Sequence, residues 1–242
     1  MKYQGNKQRF VSDILPIMLK EMENCNAFVD IFCGSCSVIQ KVPNKYVRIA
    51  NDKNKYLIAM WKDLIDGKNF PTMITKKLYD EIRGCVRWDS DKYSEGLIGW
   101  CGFMASFNGR FVDGGYSGHN VKGSNGKYRD YIRENIQNTL PQIEELKGIK
   151  FYSGDYQDVK LPEKSLIYCD PPYKGTKQYY TSKDFDYERF YKWLRDKKEE
   201  GHTIFVSEYD MPGDFTVVWE KAVNVAQNPT KTKKSTERLF RL

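Results

Sequence analysis

Ser165-Leu166-Ile167-Tyr168-Cys169-Asp170-Pro171-Pro172-Tyr173 is the stretch whose reading decides the fold. Its apolar run, 166–169, has the unbroken hydrophobicity of a strand buried on both faces, as in a parallel sheet. The strand must stop at Pro171-Pro172, because neither proline can donate to a ladder. In an open α/β sheet the ligand crevice lies beyond the carboxyl ends of the strands, so this strand delivers Asp170 and Tyr173 into it. A carboxylate, backbone carbonyls without competing N–H groups and a flat ring can accept the hydrogens of a planar amine while the ring stacks on its face. The same four residues would also make a simple turn, so their context has to decide.

Working outward, 149–152 reads as a strand ending at Gly154-Asp155-Tyr156, and 27–32 and 46–50 as two more. The first is followed by Cys33-Gly34-Ser35-Cys36-Ser37, a turn of small residues that predicts a helix start and hence a nucleoside-binding corner. Only Gly34 is present where a dinucleotide fingerprint needs three glycines, which disfavours a pyrophosphate and leaves room for a cofactor without phosphates. Asp52 lies 18 residues after Gly34, at the end of the second strand, where a doubly wound fold accepts ribose hydroxyls. An exposed Asp capping the amphipathic helix 56–65 is the alternative.

Alternation of strands and helices fails between residues 70 and 146. Helices are predicted over 72–83, 95–107 and 131–146, flanking a long glycine-rich loop, 109–127. At its start Phe107-Asn108-Gly109-Arg110 could wedge a ring into a duplex while Asn108 and Arg110 reach bases or phosphates; a turn carrying one surface arginine is the other reading. Alternation then returns with a polar loop 174–183, a helix 186–200 and a strand 203–207. Two β-like runs at the end, 215–225 and 238–242, are joined by a loop whose Lys231, Lys233 and Lys234 can grip phosphates. The start, Lys2 to Lys7, reads as a loop before an amphipathic helix with Val11, Ile14, Leu15, Met18 and Leu19 at helical spacing and a possible kink at Pro16.

Composition narrows the class. A chain of 242 residues with 40% hydrophobic content can bury one sizeable core with room for a smaller inserted unit. No apolar run is long enough to cross a bilayer, and no signal peptide is seen, so the expectation is a soluble cytoplasmic protein of a bacterial or phage-infected cell without a membrane partner. The six cysteines are expected to be free thiols; Cys33 and Cys36 lack the second pair a zinc site needs, and two histidines do not make a metal centre. A net charge of +7 favours a polyanionic partner.

Four ordered blocks, Lys2-Tyr3-Gln4-Gly5-Asn6-Lys7, Phe28-Val29-Asp30-Ile31-Phe32-Cys33-Gly34, Asn51-Asp52 and Asp170-Pro171-Pro172-Tyr173, resemble the Dam-type DNA adenine-N6 methyltransferases, including their short bacteriophage members. Thr236-Glu237-Arg238-Leu239-Phe240 is similar to that family's last strand. The resemblance implies a Rossmann-like α/β fold that binds S-adenosylmethionine, with a catalytic domain over 1–69 and 147–242 and a mainly helical target-recognition insert over 70–146. It implies cofactor contacts from Tyr3 and Lys7, Asp30 and Phe32 to Gly34 around the methionine part, Asp52 on the ribose, and Asp155 with Tyr156 bounding the adenine. Asp170 and the Pro171 carbonyl, followed by Pro172 and Tyr173, would orient and stack a flipped adenine in duplex DNA, with no metal and no obligate protein partner. The same chemistry could act on cytosine in DNA or adenine in RNA, or the chain could be a silent DNA-binding protein. Tyr3 stands where many relatives have Trp, and Ser35-Cys36 where many keep glycines. The resemblance gives no target sequence.

Overall fold

Buried apolar residues at two periodicities, every second residue in strands and every third or fourth in helices, arrange this chain in three layers. The computed structural model describes residues 1–123, 126–175, 184–228 and 231–242, without the side chains of 224–234. Helix α1 (Val11–Leu19) precedes β1 (Ala27–Asp30) and β2 (Val47–Asp52); α2 (Lys55–Ile65), α3 (Lys76–Trp88) and α4 (Glu95–Met104) follow. A short hairpin of β3 (Val121–Lys122) and β4 (Tyr128–Arg129) leads to α5 (Tyr131–Thr139) and α6 (Gln142–Leu146). Strands β5 (Lys150–Ser153) and β6 (Ser165–Cys169), helix α7 (Tyr187–Glu199), and strands β7 (Thr203–Glu208), β8 (Thr216–Asn228) and β9 (Lys231–Arg241) complete the chain.

The main sheet has seven strands in the order β5-β2-β1-β6-β7-β9-β8. The first five run parallel; β9 and β8 are antiparallel additions beside β7. Alternation along the strands divides the core: Phe28, Ala50, Leu166, Tyr168, Phe205 and Leu239 face α1, α2 and α4, while Val29, Ile49, Ile167, Cys169, Ile204 and Phe240 face α7. Register sets Asp30 beside both Ala50 and Tyr168, so Asp52 and Asp170 each lie two residues beyond it along the adjacent chains, and the three acids share one crevice at the carboxyl ends of the strands.

The 70–146 segment is joined to the sheet layers by close helix packing. A Cβ at Gly99 of α4 would collide with the Tyr56 backbone carbonyl of α2, and one at Gly102 with the Phe111 ring. Glycines there let two helices approach within backbone contact.

Several sequence expectations change. No helix forms after β1: Gly34 and Cys36 both take positive φ, and the chain makes only a 3-10 turn, Ile39–Lys41, before Pro43. A helix N-terminus for anions is therefore absent from that corner. The helix expected from 72 starts at Lys76, where Thr75 caps it by accepting from the Leu78 N–H, and it runs on to Trp88. The helix expected to reach 107 ends at Met104, and the one expected over 131–146 breaks at Leu140-Pro141 into α5 and α6, since proline lacks the N–H to continue the ladder. The 109–127 stretch is not structureless: it holds a 3-10 turn, Phe111–Gly114, an isolated bridge between Ser106 and Tyr116, and the start of the β3–β4 hairpin. Lys231, Lys233 and Lys234 belong to strand β9, not a loop, because β8 and β9 pair along most of their length; their side chains lie outside the described residues. Residues 176–183 of the expected polar loop are also outside them.

Candidate active site

Asp170 leaves β6 immediately before the two prolines and meets a lysine from the N-terminal loop. Lys7 Nζ lies 2.7 Å from Asp170 Oδ1 and 3.3 Å from Glu237 Oε1 of β9, and donates to the Gly5 carbonyl at 3.3 Å. The same ammonium sits 4.7 Å from the centre of the Tyr173 ring, whose hydroxyl donates to Glu237 Oε1. Burial pushes the Asp170 carboxyl up to about 6, against the lowering pull of Lys7. Burial also works against the charge on Lys7, but Asp170 and Glu237 outweigh it and its pKa is raised. One ammonium thus serves two carboxylates in a site largely closed to water.

Asp30 and Asp52 stand at the ends of the neighbouring strands. Asp52 is buried; its Oδ2 accepts from the Gly34 N–H at 3.0 Å and its Oδ1 from the Asn54 N–H at 2.9 Å. The alternative of an exposed, helix-capping Asp52 is overturned, since Asn54 caps α2 by accepting from the Tyr56 and Leu57 N–H groups. Asp30 is 2% exposed, and its Oδ1 has no hydrogen-bond partner among the described residues. Burial first, then the charges of Asp170 and Asp52, hold its carboxyl well above the ordinary range. A buried carboxylate oxygen without a donor is costly and suits a cationic ligand group.

The small-residue turn bends over these acids. At Gly34, φ is +46°, and a Cβ there would come within 2.8 Å of the Tyr3 ring. Cys36 adopts φ +59°, the left-handed conformation glycine favours, so the departure from glycine at this position places a side chain in a strained backbone. Both Cys33 and Cys36 are buried free thiols. Across the sheet, Phe32 and Tyr156 rings lie 5.8 Å apart, and Phe190 packs edge-on to both. The Tyr156 hydroxyl is buried with no hydrogen-bond partner among the described residues. Asp155 turns its carboxylate to Arg189, 3.1 Å away, and accepts from the Gln157 N–H. Tyr3, Lys7, Asp30, Gly34, Asp52 and Asp170 therefore gather on one crevice, with Phe32 and Tyr156 in an aromatic cluster at its side and Asp155 held in a surface ion pair.

The sequence reading assigns no site role to two further acids of this crevice. Glu208, at the end of β7, accepts from the Tyr209 and Lys174 N–H groups at 2.7 and 3.1 Å, and burial pushes its carboxyl up to about 7. Glu237 reaches the crevice from a strand whose next residue on the same face, Leu239, is fully buried in the core. For Glu208, a signal existed: Ser207-Glu208-Tyr209 repeats at β7 the pattern of an apolar strand ending in an acid and an aromatic ring.

Phe107, Asn108 and Arg110 form a turn against the N-terminal loop. Phe107 is 49% exposed, Asn108 takes φ +56°, and a Cβ at Gly109 would collide with the Lys2 carbonyl. Between this turn and the loop lies a cleft of about 430 Å³ lined by Lys2, Tyr3, Gln4, Asn6, Asn108 and Arg110 among others. Arg110 Nε is buried there without a hydrogen-bond partner among the described residues.

A family model described as D12 class N6 adenine-specific DNA methyltransferase matches residues 3–95 and 114–225. The chain belongs to that family. Over 194 residues the chain is 27% identical to the modification methylase StsI of Streptococcus sanguinis, covering 72% of this chain and 28% of that protein. It thus spans under a third of the length of this curated relative. The D12 match contains Asp170 to Tyr173 and the N-terminal loop, but neither 96–113, with Phe107 to Arg110, nor anything after 225, with Glu237.

Proposed function

We propose that this D12-family protein methylates the exocyclic N6 amine of adenine in duplex DNA at a specific site. One observation carries the reading: Asp170, held by Lys7, projects from the end of β6 into the crevice that Asp30 and Asp52 share. The amine of adenine is a poor nucleophile because its lone pair is delocalised into the ring, and the duplex hides it, so the base has to leave the stack. Asp170 accepts one amine hydrogen and the Pro171 carbonyl the other, which draws the nitrogen toward tetrahedral geometry and aims its lone pair. Pro172 fixes the turn, and Tyr173 supplies the stacking face.

The residues present fit S-adenosylmethionine. Asp30, with its unpartnered oxygen, suits the ammonium of the methionine part; Phe32 and Gly34 would flank it under the Tyr3 ring; Asp52 suits the ribose hydroxyls; Tyr156 beside Asp155 offers an aromatic edge for the adenine. When bound, the cofactor supplies an electrophilic methyl: the new N–C bond forms as the C–S bond breaks with its electron pair going to sulfur, and one amine proton leaves to solvent. Asp170 and Lys7 preorganise charge around that transfer.

For DNA, residues 1–69 and 147–242 would form the catalytic domain and 70–146 the target-recognition region. The Phe107, Asn108 and Arg110 turn lies beside the crevice, and Arg110 has the donor geometry that reads guanine edges. Lys231, Lys233 and Lys234 would contact phosphates. Transfer of labelled methyl to unmethylated plasmid, followed by single-molecule sequencing, tests the reading. N6-methyladenine in a short fixed motif is expected, abolished by Asp170→Ala in a folded protein; undiminished activity of that variant would sink the assignment.

A further inference from the structure

Glu237 is costly where it stands. It shares the inward face of β9 with Leu239, is 6% exposed, and brings a second carboxylate to a lysine already paired with Asp170. Buried ion pairs of this kind seldom stabilise a fold better than apolar residues of similar volume. The arrangement therefore calls for a role in the site.

The geometry defines it. Two donors face Asp170: the Lys7 ammonium, at 2.7 Å, and the Tyr173 hydroxyl, which also lowers the Asp170 pKa as a hydrogen-bond donor. Glu237 is a rival acceptor for both, taking the Tyr173 hydroxyl on Oε1 and standing 3.3 Å from Lys7. We propose that Glu237 is a positioning residue for methyl transfer, which competes with Asp170 for these two donors so that Asp170 keeps acceptor capacity for the target amine, and which fixes the Tyr173 ring that stacks on the base. This rests on the adenine-methylation reading above.

The groups facing Asp170 are Lys7 and Tyr3 of the N-terminal loop, Asp30 of β1, Tyr168 and Tyr173 of its own strand and turn, Glu208 of β7 and Glu237 of β9. Glu237 and Lys7 act on it most directly, with opposite sign. Removing the Glu237 charge leaves Lys7 and the Tyr173 hydroxyl to Asp170 alone, which makes it more acidic and a weaker acceptor.

The test compares the wild type with Glu237→Gln, which keeps the shape and one acceptor oxygen. Single-turnover methylation by Glu237→Gln is expected to fall at least about tenfold at neutral pH, with cofactor affinity changed less than about twofold. Its acid limb should move to lower pH, and 13C NMR titration of labelled aspartate should show the Asp170 carboxyl moving the same way. Glu237→Asp, which restores the charge, should recover most of both shifts; it also serves if the glutamine variant folds poorly. A Glu237→Gln protein whose rate, acid limb and Asp170 titration match the wild type overturns the proposal. A wild type that methylates no adenine would defeat the functional reading instead, and the carboxyl titration would still decide whether Glu237 governs Asp170.

Discussion

At Asp170 the ordinary carboxylate range is left behind because burial outweighs a lysine 2.7 Å away. Catalysis and stability should consequently respond to pH in opposite directions. The amine acceptor must be ionised, so kcat is expected to fall as the pH drops below about 6, readable in single-turnover profiles. Stability runs the other way. Asp170 and Glu208, raised to about 6 and about 7, keep their protons in the folded state while the unfolded chain releases them at lower pH. Their contribution is present below pH 4 and is lost as pH rises through 7; denaturant titrations should show that decline, and Asp170→Asn should flatten it. At Asp30, the unpartnered buried oxygen gives a second expectation. Asp30→Asn should weaken S-adenosylmethionine at least about tenfold by calorimetry while leaving the melting temperature unchanged or higher, since a carboxyl whose ionised form burial disfavours is replaced by a neutral amide.

Among the elements, helix α4 carries the sharpest demand. Gly99 faces the Tyr56 carbonyl of α2, and a backbone atom cannot step aside as a side-chain tip can. Gly99→Ala should cost about 3 kcal/mol or more in urea unfolding, toward the upper end for overpacking. Gly84, inside α3 with open space around its Cβ position, is the control: Gly84→Ala should raise stability by up to about 1 kcal/mol through helix propensity. The sequence disclosed α4 as a helix but not this contact, because three glycines in a helix look like weak propensity until the partner helix is present. The corner after β1 was misread for a related reason. Small residues announced a turn, but whether a helix follows depends on φ at Gly34 and Cys36, both positive here, and no spacing rule reports that.

For the whole molecule, the crevice gathers chain ends that are far apart. Lys7 and Glu237 meet 3.3 Å apart, although they stand near opposite termini. Ligand binding to such a site should stabilise the entire fold. At S-adenosylmethionine concentrations of about 100 times Kd, linkage gives about 2.7 kcal/mol, or a rise in melting temperature of roughly 5–10 °C for a chain of this size. Thermal scans with and without the cofactor check this, and Asp30→Asn should lose most of the shift.

What the sequence determined by itself was the parallel core, the order of its strands along the chain and the acids at their ends. A buried strand must be continuously apolar, a proline pair must end it, and such local rules are written in consecutive residues. Tertiary structure alone decided which acids share a charge. Glu237 looked like an ordinary strand residue, and only the antiparallel addition of β9 beside β7 turns it toward Lys7 and Tyr173. Electrostatic coupling depends on distance through space and exclusion of water, and neither quantity exists until the sheet has closed over the site.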